Sequence, residues 1–261
     1  MTKLEAYYNK FNEEHRLSTR HGQVEFFVTM HYIHQCINER KNLAVLDVGA
    51  GTGRYSVALA QEGHVVTAVE PVEKNRRVIE SKHQKGVNIW PGNALDLSFL
   101  PESSFDITLL FGPLYHLNSF EERVCAFEQA KRVTKKNGFI LAAYIMNDYS
   151  IIEYCFKKNK IKECLLSGAV TQNYASVSSE NDLYSYLRLE DITLLNEKTG
   201  LERVKIFASD GAADYMRREL NAMDQETFEL FMDYQLKNSL RPELLGASSH
   251  TVDILLNKKN A

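Results

Sequence analysis

The stretch that most constrains this chain is Ala44 to Ser56, AVLDVGAGTGRYS. An apolar run, Ala44-Val45-Leu46, is followed by a single acid, Asp47. Glycines then stand at alternate positions, Gly49, Gly51 and Gly53, before helix-compatible residues resume at Arg54. An apolar run bounded by a glycine turn and then a helical pattern reads as a buried strand feeding a helix. Glycine is needed where the backbone takes φ > 0, or where a ligand must approach without a Cβ in its way. Three of them at one junction predict a ligand lying against the turn, near the positive end of the following helix. A dinucleotide fingerprint reads G-x-G-x-x-G. This loop reads G-x-G-x-G, with a carboxylate two residues before the first glycine. That carboxylate repels a pyrophosphate and favours a cationic ligand, so the spacing disfavours a nicotinamide oxidoreductase.

The 261 residues, 44% hydrophobic and 25% charged, suffice for one large α/β domain or a domain with a cap. A net charge of -3 gives no global basic footprint for nucleic acid. Cys36, Cys125, Cys155 and Cys164 show no CxxC pair and no metal-ligand spacing, and read as reduced thiols. The N-terminus, MTKLEAYYNKFNEEHR, is too polar for a signal peptide. No apolar run approaches the roughly 18–20 residues that span a bilayer. The expectation is a cytoplasmic protein without a metal.

With its acid and G-x-G-x-G loop, the chain resembles the class I S-adenosylmethionine (SAM)-dependent methyltransferases. SAM carries a sulfonium and an α-ammonium and no phosphate, which agrees with the charge of the loop. The resemblance implies an α/β, Rossmann-like, doubly wound seven-stranded sheet, mostly parallel with an antiparallel last strand. It also implies cofactor contacts from Asp47, Gly49, Ala50, Gly51 and Gly53. A second strand, His64 to Val69, ends at Glu70-Pro71. In ribose-binding α/β folds an acid about 20 residues past the glycine turn accepts the ribose hydroxyls. Glu70 fits that place, and its two oxygens can take both hydroxyls. Gly92-Asn93-Ala94-Leu95-Asp96-Leu97 resembles the family's G-D-A-x-x-L segment, which implies an adenine site at Asn93 and Ala94. Asn93 stands where the family usually has Asp, and its amide oxygen can still accept from the adenine amino group. Asp96 reads as a turn cap.

Residues 3–16 read as an amphipathic helix carrying Leu4, Tyr7, Tyr8 and Phe11. Gly22 interrupts, and a second helix runs from about Gln23 to Arg40 with a stripe of Phe26, Met30, Ile33 and Ile37. The resemblance implies that this extension folds over the cofactor, making Tyr7, Tyr8, Arg20 and His21 lid residues. The alternative is a core stripe and a solvated turn. A fourth strand, Ile107 to Phe111, ends in Gly112-Pro113-Leu114-Tyr115-His116-Leu117. In open parallel sheets the ligand lies outside the carboxyl ends of the strands, so Phe111 and the turn after it face the methyl donor. This turn is not the N/D-P-P-[YF] of many methyltransferases acting on bases or amides. Together with Arg20-His21-Gly22-Gln23-Val24-Glu25-Phe26, it resembles a group of bacterial methyltransferases.

A helix from Phe120 to Lys136 and a fifth strand from Phe139 to Met146 follow, with Asn147-Asp148-Tyr149 at the strand's carboxyl end. Residues 150–187 lose the pattern, with short helices over Ile151–Lys158 and Ile161–Ser167 and a polar loop over Ser176–Asn181. The family places substrate caps here. The core resumes with a helix (Glu190 to Glu197), a strand (Leu201 to Ala208), a helix (Asp224 to Leu240) and a last strand (Ser249 to Asn257). The expected layout is one domain over 1–261. It comprises a helical lid (1–40), a Rossmann-like core (41–149 and 188–261) and a cap insertion (150–187).

Methyl transfer requires the acceptor to be aligned, water excluded and, for some acceptors, a proton removed. The catalytic candidates are His116, Tyr115 and His21, with Asn147, Asp148 and Tyr149 near by. The aromatic faces of Tyr8 or Tyr115 can contact the sulfonium by cation–π attraction, about 0.5–2 kcal/mol. The cofactor-binding set is completed by Pro71, Phe111 and Arg20. The expected function is methyl transfer from SAM, leaving S-adenosylhomocysteine, to a small-molecule acceptor. The alternatives are an rRNA or tRNA methyltransferase, and a SAM-binding module without turnover.

Overall fold

The apolar run before the glycine turn becomes β1 (Ala44–Val48) in this computed structural model, which describes residues 3–8, 19–180 and 182–258. The further strands are β2 (Val65–Val69), β3 (Val87–Trp90), β4 (Phe105–Leu110), β5 (Thr134–Ile145), β6 (Glu202–Ala208) and β7 (His250–Leu256). Among the described residues these seven form one sheet in the order β3-β2-β1-β4-β5-β7-β6. Only β7 opposes the others, antiparallel to both β5 and β6. This is the doubly wound sheet expected from the sequence.

The helices are α1 (Lys3–Tyr8), α2 (Arg20–Ile37), α3 (Arg54–Gln61), α4 (Glu73–Ser81), α5 (Phe120–Val133) and α6 (Asn147–Ser150). They continue with α7 (Ile161–Ser167), α8 (Leu189–Thr199), α9 (Arg217–Ala222), α10 (Gln225–Asn238) and α11 (Pro242–Leu245). Alternation along β1 divides the core in two. Val45 packs with Ile33 and Ile37 of α2 and Leu59 of α3. Leu46 and Val48 point the other way, towards Ala126, Phe127 and Ala130 of α5 and Leu195 of α8. A strand covered on both faces needs the near-continuous apolar run that this one has.

Several boundaries differ from the sequence reading, two of them for reasons visible in the side chains. The helix α2 begins at Arg20, because Thr19 caps it and accepts from the Gly22 N–H at 3.4 Å. Gly22 therefore lies in the first turn and interrupts nothing. The strand β5 begins at Thr134, where a helix was expected as far as Lys136. The β-branched Thr134 pairs with Phe105, and its hydroxyl bonds Thr108 Oγ1 at 2.7 Å and the Ala130 carbonyl at 2.6 Å. Asn137-Gly138 becomes an irregularity within the strand, with Asn137 at φ 61°. For the expected helix over 3–16, α1 is described to Tyr8; Phe11, the rest of that span and the Leu4 side chain lie outside the described residues. Asn181, the end of the expected polar loop, also lies outside them.

The insertion carries a π-helix (Ile151–Phe156) and α7, around a small core of Ile151, Cys155, Cys164 and Val170. It is sewn to the sheet edge at both ends. Asn147, expected near the acceptor, instead donates to the Tyr174 carbonyl at 3.0 Å and accepts from the Ser176 N–H at 2.8 Å. On the return, the Ser185 N–H donates to the Tyr115 carbonyl at 2.8 Å and its hydroxyl to the Leu117 carbonyl at 3.0 Å.

The antiparallel side of the sheet is held by Asp253 of β7, which is fully buried. It accepts from Arg203 Nε at 2.9 Å, Arg203 Nη2 at 2.8 Å and Asn196 Nδ2 at 2.7 Å. Removing one partner of a buried pair leaves the other uncompensated. Asp253→Ala is expected to lower the unfolding free energy by about 3 kcal/mol in chemical denaturation, the low end of the range for such pairs. The low end applies because Arg203, 31% exposed, can turn towards water.

Candidate active site

The turn after β1 uses all three glycines in the left-handed region, with φ of 73°, 56° and 79° at Gly49, Gly51 and Gly53. Two also make room for the protein itself. A Cβ on Gly49 would lie 2.8 Å from Pro113 Cδ, and one on Gly53 2.9 Å from Ile79 Cγ1. The loop is stapled by Glu70, buried at the end of β2. Its Oε2 accepts from the Gly51 N–H at 2.8 Å. Its Oε1 accepts from the Val72 N–H at 2.9 Å and Asn75 Nδ2 at 3.3 Å. The idea that its two oxygens lie open to two ribose hydroxyls therefore needs revision: Oε1 is committed twice, and the remaining acceptor capacity is on Oε2. Asp47 points inward as well, accepting from Ser56 Oγ at 2.5 Å. Burial pushes Asp47 up to about 6 and Glu70 up to about 7, against the hydrogen bonds that lower both.

A cavity opens over this turn at the carboxyl edge of the sheet. It is lined by Asp47, Gly49, Ala50, Gly51, Glu70 and Pro71, by Asn93 and Ala94, by Phe111, and by Tyr8, Glu25, Tyr115 and His116. Gly53 lies behind it as the N-cap of α3. Asn93 lines the cavity, and its Oδ1 accepts from the Leu95 N–H at 2.8 Å, so one further acceptor site remains on that oxygen. Asp96 caps a turn by accepting from the Ser98 N–H at 2.9 Å, as expected. Thr52, which the sequence reading passed over, also lines the cavity; its buried Oγ1 has no hydrogen-bond partner among the described residues.

His116 ends the 3₁₀ turn Pro113–His116. Its Nδ1 lies 2.8 Å from the Leu183 carbonyl, so Nδ1 carries the proton. Its Nε2, 3.0 Å from the Tyr8 hydroxyl, is then the acceptor for Tyr8. Burial holds the imidazole below its ordinary pKa, so the ring is neutral at pH 7. Both nitrogens are used in joining the insertion and α1 to the turn. Tyr115 donates to the Phe111 carbonyl at 3.0 Å.

A second cavity, of about 360 Å³, adjoins the first and shares Tyr8, Glu25 and Tyr115 with it. Its walls are tyrosines (Tyr7, Tyr149, Tyr184 and Tyr186 with the shared pair), His21, Asp210, Asp214, Arg217 and His250. His21 stands 3.7 Å from Asp214. Arg20, expected at the cofactor, is turned away: its Nη1 donates to the Leu220 and Met223 carbonyls, both at 2.7 Å, and its guanidinium lies 4.7 Å above the Phe228 ring. The carbonyls at the end of α9 carry partial negative charge and hold the cation there. Asp148 is exposed and lines neither cavity.

A glycine turn after β1, a buried acid at the end of β2 and a cavity outside the carboxyl ends define a nucleoside-binding Rossmann-like protein. Residues 46–142 match the model of a methyltransferase domain. An uncharacterised methyltransferase of Staphylococcus carnosus is 24% identical over 60% of this chain and 72% of its own length. Of other curated relatives the chain spans between 38% and 53% of the length, the latter in an uncharacterised methyltransferase of Alkaliphilus oremlandii. A SAM-dependent methyltransferase of Methanosarcina mazei has a similar fold, with a TM-score of 0.57, 16% identity, and coverage of 86% of this chain and 96% of that one. A 1,6-didemethyltoxoflavin-N1-methyltransferase of Burkholderia thailandensis gives 0.56 and 14%, covering 96% and 84%. Residues 46–142 are thus similar to a methyltransferase domain, and the sheet has the fold of SAM-dependent methyltransferases. Among the described residues no helix is long and apolar enough to cross a membrane.

The buried acids make stability depend on pH. Both have folded pKa values above the unfolded ones, so their contribution is fully present below about pH 4 and is lost as pH rises through about 6 to 7. Glu70→Gln removes its share of that dependence. Thermal unfolding should show the variant gaining on the wild type between pH 5 and pH 7.5; a constant difference would mean that Glu70 does not titrate in this window.

Proposed function

We propose that the chain transfers a methyl group from SAM, held over the glycine turn, to a small-molecule acceptor in the tyrosine-walled cavity. One observation carries this reading: the two cavities share Tyr8, Glu25 and Tyr115, so their contents meet at one wall. The 1,6-didemethyltoxoflavin-N1-methyltransferase is crystallised with bound 1,6-didemethyltoxoflavin and S-adenosylhomocysteine, which supports a small-molecule acceptor. When bound, SAM supplies an activated methyl group on a sulfonium.

The roles of the chain's own residues follow from the geometry. Glu70 Oε2 accepts from the ribose, Asn93 faces the adenine edge, and the Thr52 hydroxyl bonds a polar group of the methionine part. Asp47 and the shared tyrosines favour the positive charge of the donor. The helices α1 and α2 and the insertion exclude water and align the acceptor, with His116 joining α1 to the insertion.

Glu70→Ala removes a charge-assisted bond, about 1.5–3 kcal/mol, and is expected to weaken SAM roughly ten- to a hundredfold in titration calorimetry. Circular dichroism must show the variant folded, since Glu70 also staples the loop; unchanged affinity would sink the ribose role.

His116, with both nitrogens engaged, is assigned to positioning. His116→Asn should therefore keep turnover within about tenfold, since loss of a general base costs roughly a hundredfold or more. Methyl-labelled SAM with a metabolite extract measures this. A hundredfold fall at unchanged SAM affinity would restore His116 as the base.

A further inference from the structure

The small core of the insertion takes Ile151, Cys155, Cys164 and Val170 and leaves a second apolar set outside. Ile152, Tyr154, Phe156, Leu166, Tyr174 and Val177 are all exposed, Phe156 to 54% and Leu166 to 90%. They come from separate pieces of the insertion. Ile152, Tyr154 and Phe156 belong to the π-helix, Leu166 to α7, and Tyr174 to the turn between Val170 and Ser176, which pair as an isolated bridge. The ring centres of Phe156 and Tyr174 stand 6.2 Å apart, so two of the pieces meet. Neither of the two cavities above is lined by Phe156, Leu166 or Tyr174. Apolar groups that neither fill a core nor line a cavity mark a surface that meets something else.

The charge on this face is basic. From Ser150 to Val177 four lysines, Lys157, Lys158, Lys160 and Lys162, stand against Glu153 and Glu163, in a chain whose net charge is -3. Lys157 donates to Glu153 at 2.7 Å and Lys160 to Glu163 at 2.8 Å, surface pairs that hold their partners weakly. Lys158 Nζ lies 5.4 Å from the centre of the Tyr154 ring, and Lys162 is exposed. Across a groove from Lys157 and Lys158, Arg217 and Arg218 are matched by Asp214 and Glu219, which adds no net charge. Lysines in so short a run, among aromatic and aliphatic side chains, are what an anionic lipid surface attracts. A second copy is disfavoured, because a two-fold contact would set these lysines against their own equivalents. The apolar groups also stand on separate elements, which a fluid surface accommodates without a shaped counterpart.

We propose that this face of the insertion docks on an anionic lipid bilayer, with Phe156, Leu166 and Tyr174 seated at the boundary of headgroups and acyl chains and the lysines on the phosphates. The groove beside Lys158 shares Tyr149, Tyr186, Asp214 and Arg217 with the tyrosine-walled cavity, so a bilayer resting here lies beside the proposed acceptor site. Docking involves no covalent step and does not depend on methyl transfer.

Co-sedimentation of the full chain with lipid vesicles tests the docking. The wild type is expected to bind vesicles of equal parts phosphatidylcholine and phosphatidylglycerol roughly tenfold or more tightly than vesicles of phosphatidylcholine alone, and to lose most of that advantage in high salt. Lys158→Glu together with Lys162→Glu reverses two of the four lysines and should weaken binding roughly tenfold or more. Leu166→Ser, at a side chain outside the core, should also weaken it while circular dichroism and thermal unfolding stay those of the wild type. Wild type left in the supernatant, or bound equally to both kinds of vesicle, overturns the proposal. So does binding that neither the lysine reversal nor Leu166→Ser changes, since the contact then lies elsewhere on the chain. A dimer in light scattering that Leu166→Ser separates, with no binding to vesicles, assigns the face to a second copy and overturns the proposal too.

Discussion

Everything at the donor end of this protein depends on where one carboxylate is held. Glu70 terminates β2, yet its oxygens bond the loop after β1 and the start of the segment leading into α4. A turn with three left-handed glycines has little stiffness of its own. The bond from Gly51 to Glu70 gives it a fixed shape before any ligand arrives. The arrangement is costly, since burial outweighs three hydrogen bonds and pushes the acid up to about 7. A ligand bringing a donor to Oε2 offsets part of that cost. The same group therefore shapes the site and is relieved by filling it.

The central half of the fold was legible in the sequence because its signals are local. The apolar run of β1, the glycine turn and the acid at the end of β2 are contiguous or fall at a fixed spacing, and the structure brings them to one cavity. Even β7 was recognised as antiparallel. The misplaced limits have local causes that a hydrophobic pattern does not register. A threonine hydroxyl caps α2 across Gly22, and Thr134 leaves its helix because its side chain bonds Thr108 across the sheet. Arg20 was misassigned for the opposite reason. Its partners are two carbonyls some 200 residues further on, and no spacing in the sequence announces them.

The proposed acceptor side was harder to read because its residues come from segments far apart in the chain. The expectation that ligands lie at carboxyl ends directed attention to the ends of β4 and β5. An antiparallel β7 turns its amino end to the same edge, so His250 belongs with those residues although it begins its strand. Glu25 stands within the segment RHGQVEF, whose Arg20 and His21 at its head carry the more obvious signal.

The wall between the two cavities has a thermodynamic meaning. Tyr8, Glu25 and Tyr115 belong to both, so a rearrangement of any of them on binding one ligand alters what the other encounters. Linkage makes such an influence mutual: whatever free energy the first ligand adds to the affinity of the second, the second returns to the first. A partition built from the same side chains on both faces thus couples the two fillings, and binary affinities alone would not describe the proposed ternary complex.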